Sequence, residues 1–156
     1  MMQTLTATAT PIVHPPLQGP ITSGSVKQQH VLTFPAGLPG FEQCRSFVLM
    51  ATNDDAPLHY LTALDGPEAS FIVMDPRQAQ QGYKCELTET DARRLGVSPS
   101  GDTSLVWLSL VTIEGNGTVS VNLRAPVVIN PALMIGHQVI PHQGTYPVRH
   151  VLVQGE

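Results

Sequence analysis

From Val26 onward the apolar runs are short, and a turn-forming residue closes nearly every one. Val31-Leu32-Thr33-Phe34 stops at Pro35, and Phe47-Val48-Leu49-Met50 runs into Asn53-Asp54-Asp55. Leu58 to Leu64 meets Asp65-Gly66, and Phe71-Ile72-Val73-Met74 stops at Asp75-Pro76. Proline lacks the backbone N–H that a helix or ladder needs, and glycine admits backbone shapes that end either. With 14 Pro and 13 Gly in 156 residues, a fold built on long helices is excluded. What remains is a set of short strands joined by tight turns.

The details support that. Phe71–Met74 is apolar at every position, which predicts a strand covered on both faces. Ser104 to Glu114 is the longest strand candidate. Glu114-Gly115-Asn116-Gly117 turns it into Val119 to Ala125, with Asn116 and Gly117 both expected at positive φ. Val127 to Ile129, Gln138 to Ile140 and Val148 to Val153 are further strands. One helix is predicted. Thr88 and Asp91 resemble a capping box with Asp in place of Glu, and Gly96 stands where a left-handed stop belongs. Glu89 and Asp91 fall in its first turn, Arg93 and Arg94 in its last, as the helix dipole favours. The predicted fold is mainly β: a small antiparallel pseudo-barrel or sandwich with one short helix, a single domain over residues 21–153.

The charge is sparse and uneven. Eight Lys and Arg stand against 12 Asp and Glu, a net charge of −4. Sequence-independent nucleic-acid binding needs many cations to displace counterions, and anionic membrane surfaces need the same, so both are excluded. Lys27 is the first charged residue. The segment before it carries Thr4, Thr6, Thr8 and Thr10, then Pro11, Pro15, Pro16 and Pro20. It has neither the basic start nor the apolar core of a secretory signal. TLTATAT alternates as a strand would, but the prolines after it interrupt any ladder. Residues 1–20 are expected to be a disordered Pro- and Thr-rich tail. No run approaches the ~20 apolar residues of a membrane helix. Cys44 and Cys85 are expected as free thiols in a cytoplasmic protein.

Catalytic signatures are absent: there is no G-x-S-x-G, no G-x-x-x-x-G-K, no G-x-G-x-x-G and no H-E-x-x-H. Cys44 and Cys85 lack C-x-x-C spacing. His14, His30 and His59 are scattered. His137 and His142 lie five apart, on opposite faces of a strand, unless a loop at Pro141 turns them together with His150 into a metal site. That arrangement, a small β-barrel metal-binding protein or enzyme, is the alternative reading. The Asp75 side chain is placed to bond the backbone of its own turn. Arg124 and Arg149 are the only charges between Glu114 and Glu156, each satisfied locally or held for a carboxylate.

Taken together, five ordered blocks resemble a known family. Phe34-Pro35-Ala36-Gly37-Leu38-Pro39-Gly40-Phe41-Glu42 is similar to the F-P-x-G-L-P-G-F-E signature of the flagellar assembly factor FliW. Phe71 to Pro76, Asn122 to Pro131, Gly136 to Ile140 and Tyr146 to His150 resemble its later blocks, so the likeness runs from about residue 21 to 152. The resemblance implies a cytoplasmic, monomeric, non-enzymatic β pseudo-barrel that needs no cofactor or metal. It further implies two protein partners, flagellin and the RNA-binding translational regulator CsrA. Flagellin export would free the protein to sequester CsrA and relieve repression of flagellin synthesis.

A basic RNA-binding partner suits an acidic protein, and Glu42, Asp54, Asp55, Asp75, Glu86, Glu89 and Asp91 all precede residue 92. Glu42, Asp75, Glu86, Glu89, Asp91, Arg124 and Asn130 are therefore the candidate partner-binding residues. The central acids and adjoining helix form the expected CsrA-facing surface. The competing reading for Glu89 and Asp91 is stabilisation of the helix start, and for Gly37–Gly40 and Arg124–Pro131 it is fixing of backbone shape.

Overall fold

A computed structural model describes residues 31–51, 57–98, 104–141 and 145–156. The expected tail, the Asn53-Asp54-Asp55 loop and His142 lie outside the described residues. The chain opens with an antiparallel meander of β1 (Val31–Thr33), β2 (Ser46–Ala51), β3 (Leu58–Ala63), β4 (Ser70–Met74) and β5 (Val106–Ile113). Two helices lie between β4 and β5: α1 (Pro76–Ala79) and α2 (Glu89–Leu95). β6 (Val119–Val121) pairs with the far half of β5, and β7 (Val127–Asn130) pairs with the near half of the same edge. β8 (Ile135–Gln138) turns back on β7, and β9 (His150–Val153) lies on β6.

The ring closes where β8 meets β1. Thr33 pairs with Ile135 in parallel, and the Thr33 N–H donates to the Met134 carbonyl at 2.9 Å. Strands β1, β2, β3, β4, β5, β7 and β8 thus form a closed barrel, while β6 and β9 leave it as a flap. The mainly β barrel agrees with the sequence reading. Two details differ: one seam is parallel, and there is a second helix. Asp75 stops β4 by taking the Arg77 N–H at 2.8 Å, and Pro76 at the first helical position turns that stop into one helical turn.

Alternation explains the core. Phe47, Leu61, Phe71, Val73, Leu108, Leu110, Val127 and Ile129 point inward, and the Phe34-to-Phe41 turn closes one end of the barrel with Phe34 and Leu38. Phe34 meets Phe47 edge-on at 4.9 Å between ring centres, and Phe41 meets Phe71 at 5.2 Å. Each buried side chain of this kind contributes about 1.5–3 kcal/mol. The turn needs Gly37: its φ is 65°, and a Cβ there would come within 2.7 Å of the Glu42 Cα. On the other side of the sheet, Ile72, Met74, Val111 and Val121 bury against Tyr83 and Leu123. β4 is therefore covered on both faces, as its unbroken apolar run predicts.

Two local expectations are corrected. In the 114–117 turn only Gly117 has positive φ, at 93°, whereas Asn116 was also expected there. The Glu114 carbonyl accepts from the Gly117 N–H at 2.9 Å, and the Glu114 N–H donates to Thr118 at 2.8 Å. This is a type I turn with a glycine bulge, and Asn116 contributes its side-chain oxygen, which takes the Thr118 N–H at 3.0 Å. The strand expected at Gln138–Ile140 instead begins at Ile135, because Asn130 pairs with Ile135 across a short β7–β8 turn. Ile140 is left 64% exposed.

Candidate functional site

Helix α2 is too short to be stable alone and is held at both ends. Thr88 Oγ1 accepts from the Asp91 N–H at 3.0 Å, the capping contact the sequence predicts. At the other end Gly96 takes φ 72°, and the Val97 N–H reaches back to the Ala92 carbonyl at 2.9 Å, a Schellman closure. Leu95 buries with Val128 and Val139, flanked by Leu87, Val97, Leu105 and Trp107. This places Glu86 and Glu89 in solvent at the helix start, Asp91 half-buried beside them, and Arg93 and Arg94 in solvent at its end. The helix surface therefore carries charge of both signs, segregated by end.

Two titratable groups feel the charges of this helix. Burial pushes the His137 imidazole below its ordinary value, and the Arg94 charge adds to this, while a bond to the Arg94 backbone and the Asp91 charge oppose it. Burial raises the Cys85 thiol, opposed by a bond with Tyr83 and reinforced by the charges of Asp91 and Glu86. Cys85 is thus held as the thiol, which is a poor nucleophile.

The remaining candidates are dispersed. Asp75 is engaged by Arg77 through Nε at 3.1 Å and Nη2 at 2.8 Å, and this pairing holds its carboxyl below the usual range against the opposing effect of burial. Glu42 accepts the Gly40 N–H at 3.1 Å and belongs to the Gly37–Gly40 turn. Arg124 donates from Nε to the Tyr146 carbonyl at 2.9 Å, and Arg149 pairs with Glu114 at 2.9 Å. Both arginines are satisfied within the chain. Asn130 is 2% exposed, and its amide bonds Leu95 and Ala132, so it positions α2 from behind and does not reach the surface. Of the seven, Glu86, Glu89 and Asp91 come together. Glu42, Asp75 and Arg124 occupy other parts of the barrel. His137 and His150 sit on β8 and β9, four places apart in the strand order. No cluster of three or more metal-ligating side chains occurs among the described residues. No helix among them is long and apolar enough to cross a membrane.

The sequence did not disclose a groove of about 690 Å³ at the barrel end where β2 finishes and β3 and β5 begin. Leu49, His59, Val106, Trp107 and Leu108 line it, and the Asp75–Arg77 pair sits at its rim. His59 Nδ1 is buried without a hydrogen-bond partner among the described residues. Trp107 belongs both to this groove and to the cluster under α2, so one side chain joins the two features. The groove arises because β4 stops at Met74, opposite Ser109, while β5 begins three residues earlier at Val106. That mismatch appears only when the pairing register is known.

Comparison with known proteins agrees with this architecture. The family model described as FliW protein matches residues 19–152. The flagellar assembly factor FliW of Carboxydothermus hydrogenoformans is 34% identical over 79% of this chain and 79% of its own. That of Geotalea uraniireducens is 32% identical over 80% and 76%. A crystal structure of the flagellar assembly factor FliW superposes with a TM-score of 0.74 at 26% identity, covering 83% of this chain and 89% of the other.

Proposed function

This chain belongs to the FliW family of flagellar assembly factors, and from that premise we propose that it is a cytoplasmic, non-enzymatic partner switch. In this reading it acts as a monomer that binds newly made flagellin and antagonises the translational regulator CsrA. Export of flagellin then frees it to hold CsrA and so raises flagellin synthesis.

The observation that carries the CsrA part is the rigid acidic start of α2. Glu89 is exposed and Asp91 half-exposed in the first turn of a helix capped at both ends, and Glu86 is exposed two residues before its N-cap. Fixed like charges on an ordered element steer a basic partner better than the same charges on a loop, because no ordering entropy opposes docking. The other candidate acids are less available, since Asp75 is already neutralised by Arg77. The neutral groove at the barrel mouth offers a second, chemically different surface. With Trp107 packed between groove and helix, occupation of one can bias the other.

Titration of the purified protein with CsrA and flagellin, separately and together, tests this. Expected are 1:1 complexes with each, and release of CsrA as flagellin is added. A ternary complex with undiminished affinities would refute the switch, and failure to bind either partner would refute the reading as a whole.

A further inference from the structure

Glu86 owes its place to a contact made from near the other end of the chain. Residues 83–88 belong to neither helix nor strand, so neither a ladder nor a helical turn orders the approach to α2. Anchors on both sides of Glu86 do so instead. On its C-terminal side, Leu87 is half-buried against the cluster of Leu95, Val128 and Val139. On its N-terminal side, Tyr83 is buried, and its hydroxyl donates to the Leu123 carbonyl at 2.8 Å. Between Tyr83 and Glu86, the Lys84 N–H donates to the hydroxyl of Tyr146 at 3.0 Å, across 62 positions of sequence.

The surroundings of Tyr146 hold that hydroxyl in place. Its ring lies on the Tyr83 ring at 4.5 Å between centres, against the outer cluster of Val111, Val121 and Leu123. Its carbonyl accepts from Arg124 Nε at 2.9 Å, and the carbonyl of Pro147 accepts from the Leu123 N–H at 3.1 Å. The backbone of this segment is thus tied to the turn that follows β6, and the ring to the barrel's outer face. Arg124 and Glu86, which lie in different parts of the barrel, are joined through this one tyrosine. A charge on a segment that must be ordered on docking loses part of its interaction to conformational entropy, and a charge already held does not.

We propose that Tyr146 is a positioning residue for the acidic surface: its hydroxyl fixes Lys84, and so holds Glu86 in the arrangement that a basic partner engages. The proposal rests on the reading of this surface as the one that faces CsrA. It also says which rate constant is affected. Steering acts at a distance and depends on the amount of charge, whereas a held geometry matters once the two proteins are in contact. Tyr146 therefore acts on dissociation and leaves association alone.

Tyr146→Phe keeps the ring on Tyr83 and removes only the hydroxyl, so it tests this directly. Amide exchange at Lys84 should quicken by about fivefold, with exchange at Asp91 and Val97, the capped ends of α2, unchanged. Dissociation from CsrA should quicken by about threefold to tenfold, the worth of one hydrogen bond, and association at low salt should stay as in the wild type. Glu86→Gln should itself quicken dissociation, and adding Tyr146→Phe to it should bring no further change. Unchanged exchange at Lys84 would overturn the proposal. So would unchanged dissociation in Tyr146→Phe where Glu86→Gln quickens it, an outcome that leaves the acidic surface standing. Equal quickening by Tyr146→Phe with and without Glu86 would show a general loosening of the fold, and would also overturn it. If Glu86→Gln, alone and together with Glu89→Gln, leaves CsrA binding untouched, the CsrA-facing surface itself falls, and the proposal with it.

Discussion

The side-chain amide of Asn130, at the end of β7, donates a 2.8 Å hydrogen bond to the carbonyl of Leu95, the last residue of α2, 35 positions earlier. Its oxygen accepts the Ala132 N–H at 3.0 Å. One buried side chain thus fixes the barrel rim and the helix end together. Asn130→Ala leaves both backbone groups without a partner, at a cost of about 2 kcal/mol. For a domain of this size the melting temperature should fall by ~4–8 °C, measured by calorimetry. A fall below ~1 °C would show that the contact contributes nothing net.

Gly136 presses on the Phe34 ring so closely that a Cβ at 136 would collide with it, and Phe34 is fully buried. Gly136→Ala should cost about 1–3 kcal/mol from overpacking. Phe34→Leu frees the space, so the double variant should lose less than the sum of the two single losses. Chemical denaturation of all four proteins measures the coupling, and strict additivity would exclude the contact.

His137 makes stability depend on pH. In the unfolded chain an imidazole titrates near about 6.5. In the fold burial and Arg94 hold it lower. Below about 6.5 the unfolded state therefore takes a proton that the folded state resists, and stability falls as pH drops toward the folded value. Asp75, held low by Arg77, weakens the fold only in the more acid range below the usual carboxylate value. The urea midpoint of the wild type should fall between pH 7.5 and 5.5, and that of His137→Gln should fall less. Parallel pH dependences for the two proteins would remove His137 from the account.

Charge reversal at the start of α2 separates steering from folding. Glu86→Lys with Glu89→Lys should slow association with CsrA by ~10-fold at low salt, with the difference shrinking as salt is raised. Loss of a favourable dipole interaction at Glu89 should cost the fold only about 0.3–1 kcal/mol. Stopped-flow binding at two ionic strengths reads the first effect and thermal melting the second. Unchanged association in a folded variant would move the CsrA surface elsewhere.

Local signals were legible in the residues. The Thr88 cap, the Gly96 stop, the doubly covered Phe71–Met74 strand and the Asp75 turn follow from chemistry within a few positions. The likeness to FliW was legible because Pro and Gly fix backbone shape at fixed spacing. What could not be read were relations across the chain. The Thr33–Ile135 seam, the partnership of Asn130 with Leu95, and the groove left by the unequal ends of β4 and β5 depend on pairing register. Acidity told a similar story: a linear count put Glu42, Asp75 and Glu89 in one acidic region, and the barrel separates them.

The parallel seam also sets a timetable. Strands β1 to β5 can pair with their sequence neighbours as the chain emerges, but Thr33 has no β8 partner until Ile135 has been made. At bacterial synthesis rates that is roughly a hundred residues, or about 5–20 s, later. Throughout this interval β1 is a raw edge on a nascent molecule, open to wrong pairing with its neighbours on the same message. A ribosome stalled before Ile135 would hold a meander that cannot shut, and only passage of that point makes the molecule safe to release.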